Sequence, residues 1–169
     1  VVLGIILLAA ILVFAYWDDG IDQSSPEALG KTVFNTIVAD DEAAFISLMP
    51  DAKFVEDLIF AAAKYATENG GDTEEAERIA RMLDYSELTE QLRDKLSETF
   101  RSAVNSRNWG NASLVTVVSG RLHKVDPFSM CKFSFVIFEL DREMYVLVIQ
   151  DSVMRNDDWH LNDDNLRTS

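Results

Sequence analysis

Residues 1–17 (VVLGIILLAAILVFAYW) contain no charged side chain, and Asp18-Asp19-Gly20 follows them at once. A helix on a protein surface needs one polar side, and this run is apolar all round. As a helix it covers ~25 Å, most of the ~30 Å hydrocarbon core of a bilayer. The chain has no initiator Met, so the native apolar segment is expected to begin upstream and reach the ~20 residues of a full span. A secretory signal is the competing reading, with Val13 and Ala15 as a weak cleavage pattern. Such a signal places a polar stretch before its cleavage site, and none is present here. A buried core helix is the third reading. Lipid anchoring through cysteine is excluded, because the only cysteine is Cys131. The sequence therefore predicts an uncleaved transmembrane helix over residues 1–17.

The flank sets the orientation. The first basic residue after the run is Lys31, while Asp18, Asp19, Asp22 and Glu27 crowd its exit. Basic residues favour the cytoplasmic side, so the domain after Trp17 is predicted to be extracytoplasmic, in the manner of a bacterial inner-membrane protein facing the periplasm. Tyr16 and Trp17 would sit at headgroup level. Gly4, Ala9 and Ala10 leave room for another helix to approach closely, so the span is a candidate contact with partner transmembrane helices.

The rest of the chain suits one domain with a real core. The net charge of the chain is −14. That balance opposes nucleic-acid binding, which needs clustered cations, and adhesion to an anionic lipid surface. One cysteine allows no intramolecular disulfide, and Cys131 reads as a small buried hydrophobe.

Residues 18–25 read as a polar linker. Ser25-Pro26-Glu27 has the chemistry of a helix start, with Leu29, Val33 and Ile37 on one face. A short helix follows Asp41 with Ala44, Phe45 and Leu48 inward, ending at Pro50. A third is expected over residues 51–67, with Val55, Leu58, Ile59, Ala62 and Tyr65 inward. Residues 72–75 (DTEE) open a fourth, bearing Ile79, Met82 and Leu83. A fifth runs over about 86–105 with Leu88, Leu92, Leu96, Phe100 and Val104 as its stripe.

From Ala112 the period changes. Residues 114–118 are β-rich. Residues 132–140 and 143–150 alternate, and Asp141-Arg142 between them predicts a hairpin. Phe133, Phe135 and Ile137 share one face, and Val136, Phe138 and Leu140 share the other. A last strand contains Trp159-His160-Leu161, and residues 162–169 read as a polar tail. Helices followed by strands predict an α+β domain over residues 26–161, with several helices on a curved antiparallel sheet of about four strands. The central strands are apolar on both faces. Helices must cover one; the other lines a cavity, packs on a second layer or meets a partner.

Two stretches, SPEALGKTVFNTIVADDEAAFISLMP and DDWHLND, make the chain resemble the nuclear transport factor 2-like, or cystatin-like, superfamily. The resemblance implies a cone-shaped α+β fold. Residues 51–105 hold more helix than its simplest members. Some members stand behind one N-terminal span in bacterial envelope machines, including an inner-membrane component of type IV secretion systems, which is a likeness of layout only. Enzymes of the superfamily place His with Asp or Glu inside the cone. Here only His123 and His160 exist, and alternation turns His160 away from the core if Trp159 and Leu161 face it.

Asp157-Asp158 and Asp163-Asp164 read as solvated turns, since no glycine follows Gly120 to shape a calcium loop. Phosphate-cradling, nucleophile-elbow and zinc motifs are absent. Asn111-Ala112-Ser113 matches the N-glycosylation pattern. The sequence predicts no metal, no cofactor and no catalytic residue. Its leading functional reading is a non-catalytic accessory subunit of a larger integral-membrane complex. A ligand-binding module or enzyme using the cone cavity, and a membrane-tethered regulator binding a basic partner through the acidic face, are the alternatives.

Overall fold

The computed structural model describes residues 22–68, 73–125, 127–161 and 166–168. The predicted span, with Gly4, Ala9, Ala10, Tyr16 and Trp17, lies outside the described residues. Within them no helix is long and apolar enough to cross a membrane.

The chain is α+β. Five helices, α1 (Pro26–Ala39), α2 (Glu42–Ile46), α3 (Ala52–Glu68), α4 (Thr73–Met82) and α5 (Tyr85–Asn105), precede six strands. The strands are β1 (Ser113–Ser119), β2 (Leu122–Val125), β3 (Phe128–Leu140), β4 (Glu143–Arg155), β5 (Asp158–Leu161) and β6 (Leu166–Thr168). Short acceptor side chains start the helices. Ser25 Oγ accepts from Ala28 N at 3.0 Å, Asp41 from Ala44 N at 3.0 Å, and Asp51 from Phe54 N at 2.7 Å. Asp84 accepts from the amides of Ser86 and Glu87. Each satisfies a backbone donor that the first turn leaves free. Asp40 then ends α1 in the left-handed region at φ 54°, a conformation Asp tolerates better than most residues.

The sheet is antiparallel and has six strands, against the expected four or so. It is nevertheless only four strands wide. β1 and β2 pair successive stretches of β3, and β5 and β6 pair successive stretches of β4. β2 escaped the sequence reading because Leu122, His123 and Lys124 are all exposed, so no alternation betrays it. β6 falls in the segment read as a polar tail. Residues 22 and 23, read as linker, are bonded into the domain: Trp159 N donates to Gln23 O at 2.7 Å, and Asp22 N to Thr32 Oγ1 at 3.1 Å.

Helices α1 and α5 cover one face of the sheet, while Phe54 of α3 packs at its far end on the side that carries Met130, Val153 and His160. Leu29, Val33 and Ile37 of α1 and Leu96 and Phe100 of α5 meet Val136, Phe138 and Leu140 of β3 and Leu147 and Ile149 of β4 in one buried core. Each such side chain contributes roughly 1.5–3 kcal/mol relative to exposure. A smaller cluster joins Phe54 of α3 to Phe128 and Val153. The stripes of α1 and α5 follow their periodicity. Those of α3 and α4 do not: Phe54 and Ala80 are the buried positions, while Ile79, Met82 and Tyr65 are exposed. Small Ala80 serves at the α4 contact, where Tyr85 Oη donates to its carbonyl.

Inside β3 and β4 the inward parity changes. Cys131 and Ser134 are both buried, as are Ser152 and Val153. The switch falls where the ladder skips Lys132 and Asp151, and Asp151 takes φ 49°. A left-handed residue in a strand rotates the side chains beyond it and bends the strand.

Helix α1 lies so close to the sheet that a Cβ on Gly30 would stand 2.7 Å from Val117 Cγ1 and 3.3 Å from Val136 Cγ2. Gly30→Leu is therefore expected to cost about 2 kcal/mol by overpacking, read as a lower urea midpoint. An unchanged midpoint would show that α1 does not sit this close.

Candidate functional site

Two features carry chemistry. The first is a pocket at the end of the sheet where the chain enters the domain. β5 follows a tight turn in which Asn156 and Asp157 both have positive φ. Strand alternation buries Trp159 and Leu161 in the core and turns His160 to the other side. There His160 stands edge-on to Phe54, ring centroids 4.9 Å apart. An open pocket of about 340 Å³ is lined by His160, Phe54, Asp51, Asp158, Lys53 and Arg155, among others. Lys53 Nζ pairs with Glu56 and Asp57 at 2.9 Å each, and Arg155 Nη2 pairs with Asp57 Oδ2 at 2.5 Å. Asp57 thereby ties α3 to the end of β4, and the Lys53 hydrogen bond leads in lowering its pKa.

Gln23 fixes the state of His160. Its Nε2 donates to Trp159 O and also faces His160 Nδ1 at 3.3 Å. A nitrogen bonded to a carbonyl must be the amide NH2, so Nδ1 is an acceptor and the proton of the neutral ring sits on Nε2. Burial acts the same way, lowering the His160 pKa below its ordinary value. The Asp158 charge, the Leu48 backbone and Asp51 oppose that shift. The site is a neutral imidazole between two carboxylates, with a hydrogen bond running to the entry segment.

The second feature is the sheet face that no described helix covers. Its rows run Val118–Phe135–Val148 and Thr116–Ile137–Val146, with Met144 opposite Glu139. Phe135 is 38 % exposed, Val118 49 % and Met144 56 %. Phe133 and Phe135 stack at 6.3 Å. These side chains are contiguous on neighbouring strands, which distinguishes a patch from scattered exposed residues.

The two histidines do not converge. His123, Met130, Val153 and His160 form one row across four strands, which sets the histidines ~14 Å apart. Cys131 is buried, its Sγ 3.2 Å from Phe133 O. Asn111 is exposed and donates to Asp141 at 3.2 Å. Among the described residues no three His, Cys, Asp or Glu side chains converge as a metal site. Aromatic and aliphatic side chains, among them Phe34, Phe45, Phe100 and Phe138, occupy the space between helices and sheet. A larger open groove of about 570 Å³ runs between α2 and α5, with Ile46 and Pro50 on one side and Glu90 and Arg93 on the other. Of the pocket residues, sequence reasoning pointed to His160 and missed Gln23 and Asp51. Asp51 carried a signal, as a cap at a helix start; Gln23 carried none.

No family model, no curated protein and no solved structure gives a significant match to the chain. Its functional reading rests on its own residues.

Because folded His160 resists protonation, the unfolded chain takes the proton first as pH falls. Stability is therefore lost below about pH 6.5, towards the lower folded value. The urea midpoint of wild type should drop more than that of His160→Gln between about pH 7.5 and about pH 5. Parallel curves for the two proteins would rule out a buried neutral imidazole.

Proposed function

We propose that this chain is a non-catalytic accessory subunit of a larger integral-membrane complex. Residues 1–17 anchor it in the bilayer by one span, with the N-terminus cytoplasmic and the acidic domain extracytoplasmic. Gly4, Ala9 and Ala10 meet transmembrane helices of partner subunits, and the domain docks on their extracytoplasmic surfaces. The observation that carries the reading is the sheet face that no described helix covers, with Val118 and Phe135 exposed side by side and Met144 two rows further along it. An apolar patch that a domain keeps in water is suited to a partner. The contrast with the rest of the surface supports the same use: the chain carries a net charge of −14, yet the rows of this face are mostly apolar, with Glu139 and Arg167 at single register positions.

The test is purification of the tagged full chain in mild detergent. Integral-membrane subunits should come with it, and Val118→Asp with Phe135→Asp should reduce their recovery about tenfold, as for the loss of central contact residues. Both positions are exposed, so the variant should keep the wild-type circular dichroism. Recovery of the wild type as a lone monomer would defeat the proposal. A reporter fused after Ser169 that works only in the cytoplasm should stay silent; a signal would reverse the topology.

A second reading, a ligand-binding module, is favoured by one observation: neutral His160 and the Asp51 and Asp158 carboxylates line one open pocket. Native mass spectrometry of the purified chain separates the readings. A small molecule retained by wild type and lost in His160→Phe would favour this one.

A further inference from the structure

We propose that the edge strand β2, with the Gly120-Arg121 step that leads into it from β1, is a second membrane contact, resting Arg121 and Lys124 on anionic headgroups. The inference builds on the tethered reading and adds a surface to it.

Position comes first. Lys124 pairs with Ser129, Ser129 with Met154 and Met154 with Trp159, whose amide donates to Gln23 O. This one lateral row links β2 to the point where the chain enters the domain, ~19 Å away across the sheet. Five residue steps separate Trp17 from Asp22 and span at most ~18 Å. With Trp17 at the headgroups, this end of the sheet is held near the bilayer surface.

Charge comes second. Of the 29 acidic residues, 20 precede Ser106, whereas residues 106–140 hold four Lys or Arg against two acids. Three of those cations, Arg121, Lys124 and Lys132, are exposed. Among the described residues none of the three forms an ion pair with a carboxylate. Arg121 and Lys132 meet across the strands where Gly120 N bonds Phe133 O, so the cations cluster. Screening over ~8 Å separates this cluster from acids elsewhere on the domain. The basic edge at β2 is thus a local exception to the charge of the whole domain, which on its own opposes such adhesion.

Apolar exposure comes third. Leu122, between Arg121 and Lys124, is 52 % exposed. Apolar side chains flanked by cations suit the interface between headgroups and acyl chains.

The experiment is amide hydrogen exchange of the full chain in nanodiscs of phosphatidylcholine, with or without one third phosphatidylglycerol. Exchange at residues 121–124 should slow about tenfold on the anionic discs, and Arg121→Glu with Lys124→Glu should remove the slowing. Should that double variant fail to fold, Arg121→Gln with Lys124→Gln replaces it with the same expectation. Equal protection on both discs, or none on either from disc-bound chain, overturns the β2 contact and leaves the tether standing. A chain that does not enter discs at all overturns the tethered reading.

Discussion

The pairing of β3 with β4 is the interaction on which the rest of the domain depends. These are the longest strands, and every other strand bonds to one of them. Their connection is a two-residue turn, Asp141-Arg142, with both residues at positive φ, 51° and 70°. That geometry matches the right-handed twist of a hairpin and is usually served by Asn-Gly or Asp-Gly. An arginine there is uncommon, and the cost of its left-handed backbone is offset by a ladder running from Leu140–Glu143 to Ser129–Met154. Once that hairpin is closed, Val136, Phe138, Leu147 and Ile149 form one apolar surface, and the stripes of α1 and α5 have one place to go.

The kink at Lys132 and Asp151 gives this hairpin two halves with different jobs. The half nearer the Asp141 turn carries the main core beneath α1 and α5 and exposes its reverse face. The other half packs on Phe54 and supports β2 and β5 at its edges. Gln23, His160 and β2 all lie on this second half. The two surfaces proposed to meet other molecules are thus separated by the bend. One is apolar and faces away from the helices; the other is mixed and sits where the chain enters.

Much of the fold was legible in the sequence because it is written in short-range chemistry. Ser25-Pro26 announces α1, Leu29, Val33 and Ile37 give its buried face, and the alternation about Phe138 gives the face of β3. The unread parts lack such signals. Leu122, His123 and Lys124 of β2 are all exposed, so burial imposes no period on them. The parity switch at Asp151 depends on one backbone angle, which a polar residue in a strand does not advertise. In α4 the exposed Ile79 and Met82 look like core, while the true contact is Ala80; close approach favours a small side chain over a hydrophobic one. At the pocket, alternation correctly turned His160 out of the core. It could not supply Gln23, which reaches it across a sequence separation of 137 residues.

The uncovered sheet face follows from the same arithmetic. A strand apolar on both sides needs two covers, and along the half nearer the Asp141 turn the described helices supply one. Leaving such a face in water has a cost. A monomer evolving alone would lower it by placing Thr, Lys or Glu at positions 133, 135, 137, 146 and 148, since those changes leave the core untouched. The chain keeps Phe, Phe, Ile, Val and Val there instead. On this ground the face suits the partner contact proposed for it. A tether would raise the effective concentration of that molecule at the membrane, so even a patch of modest size would suffice to hold it.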